Sequence, residues 1–241
     1  MPLTKAWPKA ETSRIPSELK TRAQFAAKIT FYCAPHRFFE KKYGLTQVHR
    51  DVLYAYHVYF SQRSSMRVLD VGCGKGRNLL YLSALGHQAT GVDIDQSKLD
   101  GIASIVQREA LSHVELIQTD LALENSITEA HYDLVISTMS LQFLPPQRVC
   151  PLLQKLHSVT TVAGYHLLVF PVADDAYDLP DDFTYLPSEK ALYEFYQTAG
   201  WSILEYKVSS GTLHRVDHTG KSIVGRFGFL LAQKNNGGTA S

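Results

Sequence analysis

Cysteine is scarce: Cys33, Cys73 and Cys150 are the only three in 241 residues, odd in number and widely spaced. With no C-x-x-C pair, neither a disulfide framework nor a structural zinc site is expected, and a reducing compartment fits. Excess charge is lacking too, since 24 Lys and Arg stand against 23 Asp and Glu, a net charge of +1. That balance argues against a nucleic-acid or membrane surface and leaves a small molecule as the expected partner. No apolar run approaches the roughly twenty residues that span a bilayer, and the N-terminus lacks an apolar signal core. The expectation is a soluble, cytoplasmic protein without a metal. No internal repeat is visible.

Against these absences stands one dense feature, Val68-Leu-Asp-Val-Gly-Cys-Gly-Lys-Gly-Arg-Asn78. A buried strand runs into Gly72, Gly74 and Gly76, and a helix is predicted over Arg77 to Leu85. Glycines let the backbone take conformations closed to other residues and let a ligand approach without meeting a Cβ. A dinucleotide turn reads G-x-G-x-x-G, and here Arg77 stands where its third glycine belongs, so a pyrophosphate reader is disfavoured.

The rest of the chain alternates strand and helix, the pattern of a doubly wound α/β sheet, and 45% hydrophobic residues suffice for one such domain. Residues 1–37 are expected to form a partly disordered extension, with only Ala23 to Tyr32 helical, followed by a domain over 38–234 and a polar tail over 235–241. Thr46 is read as a helix N-cap, with Val48, Val52, Leu53 and Tyr56 making a buried face. Gln88 to Asp93 is a second strand, and Asp93 sits about twenty residues past the glycines, where a nucleotide site places its ribose-binding carboxylate. Its bland alternative is a helix cap, a task for which Asp95 is better placed. Asp120, after the strand Val114 to Gln118, is either a cap or an acceptor for an adenine amino group.

Tyr132 to Ser137 reads as a central strand covered on both faces, delivering Ser137, Thr138 and Met139 to the crevice. A helix starts at Pro145 and Pro146, and Ala163-Gly164 is read as a turn into the strand Tyr165 to Phe170. The acidic stretch Pro171 to Pro187 is long enough to be a lid or a disordered segment, and acidic clustering by itself is more often a solvated face than a site. Ser188 is read as the cap of a helix ending at Gly200, and Trp201 to Val208 and Arg226 to Ala232 as final strands joined by a loop carrying His214 and Arg215.

Asp70 and the G-x-G-x-G turn resemble the first motif of class I S-adenosylmethionine-dependent methyltransferases. Several further pieces together resemble the TehB-type tellurite-resistance methyltransferases: Lys42-Tyr43-x-Leu45-Thr46-x-x-His49, Leu69 to Leu82, Ser137-Thr138 with Phe143-Leu144, Gly164-Tyr165-x-Leu167-x-Val169, and Gly211-x-Leu213-His214-Arg215-x-Asp217. The resemblance covers about residues 38 to 234. It implies a mostly parallel seven-stranded sheet with an antiparallel final strand, leaves room for a homodimer, and implies S-adenosylmethionine as cofactor. The implied cofactor-binding residues are Tyr43, Thr46, His49, Asp70, Gly72, Cys73, Gly74, Gly76, Arg77, Asn78, Asp93, Ile94, Asp120, Leu121, Ser137 and Thr138. It also implies methyl transfer to tellurium or selenium oxyanions, with His214 and Arg215 acting on the substrate. Arginine offers oxyanions a planar fork of donors, and histidine can donate to oxygen or exchange a proton. The pair could instead bond to loop carbonyls. Lys221-Ser222 stands where the family usually has another Arg, and the acidic loop is unusually negative beside an anion site. An organic thiol or amine as methyl acceptor, with Tyr43, Phe143 and Tyr185 around it, and a non-catalytic cofactor-binding regulator are the alternatives.

Overall fold

The computed structural model describes residues 34–235. The expected N-terminal arm, its helix over 23–32 and the tail past Asn235 lie outside the described residues. Asn235 itself is held, its Nδ2 donating to the Gly200 carbonyl at 2.6 Å and its Oδ1 accepting from Ser202 Oγ at 2.7 Å.

The strands are β1 Arg67–Val71, β2 Gln88–Asp93, β3 Val114–Gln118, β4 Tyr132–Thr138, β5 Thr160–Val172, β6 Ser202–Val216 and β7 Ser222–Gln233. They form one seven-stranded sheet in the order β3-β2-β1-β4-β5-β7-β6. β1 to β5 run parallel, and β7 lies antiparallel between β5 and β6, as the expectation of an antiparallel final strand requires.

Successive side chains of a strand point to opposite faces, and here both faces are apolar. Val135, Leu168, Phe170 and Leu230 pack under the helices Pro146–Ser158 and Ala191–Thr198. Their neighbours Leu134, Ile136, Leu167, Val169, Phe229 and Leu231 pack under the helix Arg50–Ala55, joined by Tyr81 and Leu82 of the helix Arg77–Ala84. The helix Gln96–Glu109 closes the remaining flank with Leu99, Ile102 and Ile105. The order reverses between β1 and β4, so the crevice at their carboxyl ends is the natural ligand position.

Four local expectations are corrected. His49, not Thr46, caps the helix Arg50–Ala55, its Nδ1 accepting from the Asp51 amide at 3.3 Å. That helix continues as a π turn over Tyr56–Phe60. Residues five apart diverge by about 140° on an α-helix, and the wider turn lets both Tyr54 and Tyr59 donate to Glu205 of β6, at 2.6 and 2.8 Å. β5 begins at Thr160 rather than Tyr165, because Ala163, at φ 59°, is absorbed as an irregularity whose amide donates to the Lys234 carbonyl. The helix after the acidic loop begins at Ala191 with Lys190 before it and no side-chain cap, so Ser188 does not cap it.

The final correction matters most for function. Residues 209–216 and 222–225, read as loop, extend β6 and β7 into a projecting hairpin. Asp217 closes it by accepting from the Thr219 amide at 2.8 Å and the Lys221 amide at 2.9 Å, while Gly220 takes φ 81°. Along 209–216 and 222–225 the apolar residues are few and at most half-buried, so this part of the hairpin lacks the strong apolar alternation by which strands are recognised.

At the root of that hairpin a Cβ on Gly228 would stand 2.4 Å from the Phe170 ring. Gly228→Ala is expected to cost about 1–3 kcal/mol, the scale of overpacking a core. Adding Phe170→Leu should recover part of that loss, measured as the shift in urea midpoint of the two variants.

Candidate active site

The three glycines of the turn serve it in different ways. Gly72, Gly74 and Gly76 all have positive φ, at 69°, 57° and 81°. A Cβ on Gly72 would stand 2.4 Å from Ser140 Cβ and one on Gly76 would stand 2.9 Å from Ile102, whereas one on Gly74 would meet nothing within 4 Å. The outer glycines are thus needed for packing, and Gly74 faces open space where a ligand can reach the backbone.

Asp93 holds this turn in place. Its Oδ2 accepts from the Gly74 amide at 2.8 Å and its Oδ1 from the Asp95 amide at 3.0 Å, while the Val92 carbonyl receives both the Gly72 and Cys73 amides at 2.9 Å. The carboxylate expected only to receive a ribose therefore also clamps the loop. Each oxygen keeps capacity for a second donor. Asp95 is the helix cap, accepting from the Ser97 amide at 3.0 Å.

Asp70 lies beneath the turn, 1% exposed, with no hydrogen-bond partner for Oδ2 among the described residues. Burial raises its pKa to about 7, opposed by the nearby Arg77 guanidinium and the Leu79 amide. Burial likewise pushes the Cys73 thiol well up, so it stays protonated and serves packing.

Asn78 joins three segments. Its Nδ2 donates to Thr138 Oγ1 at 3.0 Å and its Oδ1 accepts from the His49 amide at 3.0 Å. The stretch ahead of the first strand is thereby docked beside the turn, and Asn78, 2% exposed, acts here as a brace. Ser137 is corrected as a ligand-facing residue: it is fully buried, its Oγ lies 2.6 Å from Ser140 Oγ, and Ser140 donates to the Val71 carbonyl at 2.8 Å. Beside it Met139 takes φ 59°, a left-handed backbone that non-glycine residues seldom adopt. Gln142 steadies that bend by donating to the Met139 carbonyl at 2.8 Å. Ser140 and Gln142 escaped the sequence reading because nothing in their local pattern marks a buried polar contact.

Tyr43 is also corrected. Its hydroxyl bonds to Glu109, the last residue of the helix that starts beside Asp93, and Lys42 reaches the same carboxylate at 2.5 Å. Fourteen helical residues at 1.5 Å each put that anchor about 20 Å from the crevice edge. Thr46 is exposed. Ile94, 62% exposed, stands next to Asp93. Asp120 caps its own turn by accepting from the Ala122 amide at 2.8 Å, and Leu121 lines a lateral cleft of about 210 Å³ with Arg148 and Lys155.

His214 and Arg215 do not lie on a loop over the crevice but on the exposed end of β6. Arg215 Nη1 donates to both oxygens of Asp182 at 2.9 Å, and the guanidinium lies 6.0 Å from the centre of the Phe183 ring. Phe183 packs edge-on against Phe143, 5.4 Å between centres, in the turn that directly follows β4. Arg215 thereby stands over Phe183, whose partner Phe143 lies in the segment that follows β4. The negative loop is explained in part, since Asp182 and Asp174 serve Arg215 and Arg226.

Asp70 generates a pH dependence of known sign. A carboxyl whose folded pKa is raised stabilises the fold fully only below its unfolded value, and that share is lost as pH rises through about 7. From 3.8 to about 7 the loss is at most about 4 kcal/mol at 1.36 per pH unit. Asp70→Asn should flatten this fall, read from urea unfolding at pH 5 and pH 8.

The family model for "Tellurite resistance protein TehB" matches residues 31–231. A probable S-adenosyl-L-methionine-dependent methyltransferase TehB of Haemophilus influenzae is 35% identical over 205 residues, covering 85% of this chain and 68% of that protein. The crystal structure of TehB from Haemophilus influenzae superposes with a TM-score of 0.76 at 34% identity, covering 84% of this chain and 68% of the other. A protein of Eikenella corrodens named Hemagglutinin 1 is 29% identical over 212 residues, covering 87% of this chain and 67% of its own length. An open Gly74, a clamped carboxylate at the end of β2 and a G-x-G-x-G turn without the third glycine of a dinucleotide motif fit a nucleoside cradle. Fold, turn and relatives agree that the chain belongs to the TehB family of S-adenosyl-L-methionine-dependent methyltransferases.

Proposed function

We propose that this protein transfers a methyl group to small oxyanions of tellurium or selenium, acting in the cytoplasm. The observation that carries the reading is Arg215, a guanidinium over the Phe183 ring, which packs on Phe143 in the segment just past β4. Among the described residues no helix is long and apolar enough to cross a membrane.

When bound, S-adenosylmethionine supplies an electrophilic methyl on a sulfonium whose departure leaves a neutral thioether. The backbone at Gly72, Cys73, Gly74 and Gly76 would cradle it, with Asp93 accepting the ribose hydroxyls on the lone pairs its loop contacts leave. Ile94 and Leu121 would flank the adenine, with Asp120 receiving its amino group. Arg77 sits beside Asp70 and would answer the amino-acid end. Thr138 and Asn78 hold the floor, and the Thr46 to His49 stretch, docked through Asn78, would cover it.

Te(IV) and Se(IV) carry a lone pair that can attack a sulfonium methyl directly, so acid–base help is little needed and positioning dominates. Arg215 would hold the oxyanion and screen its charge. An aromatic rim formed by Phe143 and Phe183, with Tyr185 half-buried nearby, favours an organic thiol or amine as the second reading.

Asp93→Ala should weaken S-adenosylmethionine binding by about 1.5–3 kcal/mol, the scale of hydrogen bonds to a charged group. Calorimetry showing undiminished binding would remove that role. Arg215→Ala should leave cofactor affinity unchanged and lower kcat/KM for selenite about a hundredfold, or about 2.7 kcal/mol. The assay is selenite-dependent formation of S-adenosylhomocysteine together with a methylated selenium product by mass spectrometry. Its absence with wild-type protein would shift the reading to an organic acceptor.

A further inference from the structure

The acidic loop meets β6 and β7 through three ion pairs on two arginines of different character. Arg226 is the anchored one: it bonds Asp174 at 3.3 Å and Glu189 at 2.8 Å, holding both ends of the loop. Further ties are the Ala173 amide to the Pro187 carbonyl at 2.9 Å, the Tyr185 amide to the Gln142 carbonyl at 3.1 Å, and Thr184 Oγ1 to the Leu144 carbonyl at 2.8 Å. Asp182 sits between these ties on a turn closed by the Phe183 amide and the Pro180 carbonyl. Among the described residues its carboxylate pairs with Arg215, and this pair is about half exposed on both sides, 49% and 51%. Exposed pairs of this kind contribute little to stability, so Asp182 can leave Arg215 without unfolding the loop.

We propose that Asp182 is a tethered occupant of the anion seat at Arg215, one that an incoming oxyanion must displace. The inference rests on Arg215 receiving the methyl acceptor. Both carboxylate oxygens of Asp182 converge on Nη1, so one arm of the guanidinium fork is taken and a negative charge stands where an oxyanion would dock. A carboxylate on a short tether competes at an effective concentration in the millimolar range. Free carboxylates of the cell therefore gain nothing at this seat, whereas an anion that outcompetes a carboxylate for a guanidinium does. Asp182 thus acts as a specificity-determining residue that raises KM for the acceptor. The loop's negative charge, otherwise out of place beside an anion site, is given a function.

The test is steady-state turnover of selenite by the full chain with saturating S-adenosylmethionine. Asp182→Asn should lower KM for selenite about threefold to fivefold, the scale of an exposed ion pair, while Asp182→Glu, which keeps the charge on the same turn, should stay close to wild type. Combining Asp182→Asn with Arg215→Ala should give no gain over Arg215→Ala alone, because the effect passes through the guanidinium. Asp174→Asn removes an equal charge from the same loop but from Arg226, and should leave KM within twofold. An unchanged or raised KM for Asp182→Asn overturns the inference while leaving the proposed reaction standing. An equal drop with Asp174→Asn also overturns it, reducing the effect to general loop charge. No selenite turnover by wild type overturns the proposed acceptor, and this inference with it.

Discussion

The crevice depends on how the turn after β1 is fastened to its two neighbouring strands. From β2, the Val92 carbonyl and the Asp93 carboxylate take the amides of Gly72, Cys73 and Gly74. From the β4 side, Ser140 reaches the Val71 carbonyl while its Cβ occupies the space a side chain on Gly72 would need. A turn held from both sides loses little entropy when a ligand arrives, which is what preorganisation contributes to binding. The same fastening explains why polar residues near the crevice have such different tasks. Ser137 and Ser140 are consumed by the architecture, and Gly74 and Ile94 are left outward.

The charges of the site are arranged in two tiers. Below the turn, Asp70 and Arg77 face each other at low exposure, where burial opposes ionisation of both and each favours the charged form of the other. At the rim, Arg215 and Asp182 meet in solvent, where exchange of one anion for another is easy. The first two groups act on each other through a buried, low-dielectric surrounding, whereas the exposed pair of the rim can change partners. The hairpin carries the rim tier because two antiparallel strands can extend past the sheet without a core, provided their base is packed, as Gly228 against Phe170 packs it.

The N-terminal stretch illustrates how a single amide side chain can couple distant parts of the chain. Asn78 joins His49 and Thr138, 29 and 60 residues away in sequence. Beyond it the π turn over Tyr56–Phe60 directs two tyrosines to Glu205 on β6, so the same stretch also grips the far edge of the sheet.

What the sequence by itself determined is whatever local pattern encodes. The strand-turn-helix at Val68 to Asn78, the covered strand at Tyr132, Asp95 as a cap and the alternation of a doubly wound sheet rest on periodicity, backbone permissiveness and capping within a few residues. The glycine spacing further separated a nucleoside cradle from a pyrophosphate one, because a turn's length is a property of its own backbone. Tertiary structure alone decided which polar groups were spent: Ser137 turned inward to Ser140, Tyr43 went to Glu109 at the far end of a helix, and Asp93 took on the Gly74 amide. It also decided that His214 and Arg215 ride a strand and that Arg215 meets Asp182, 33 residues away. The hairpin's apolar residues are few and at most half-buried, so little apolar rhythm announces it, and ion pairs between distant segments leave no spacing to read.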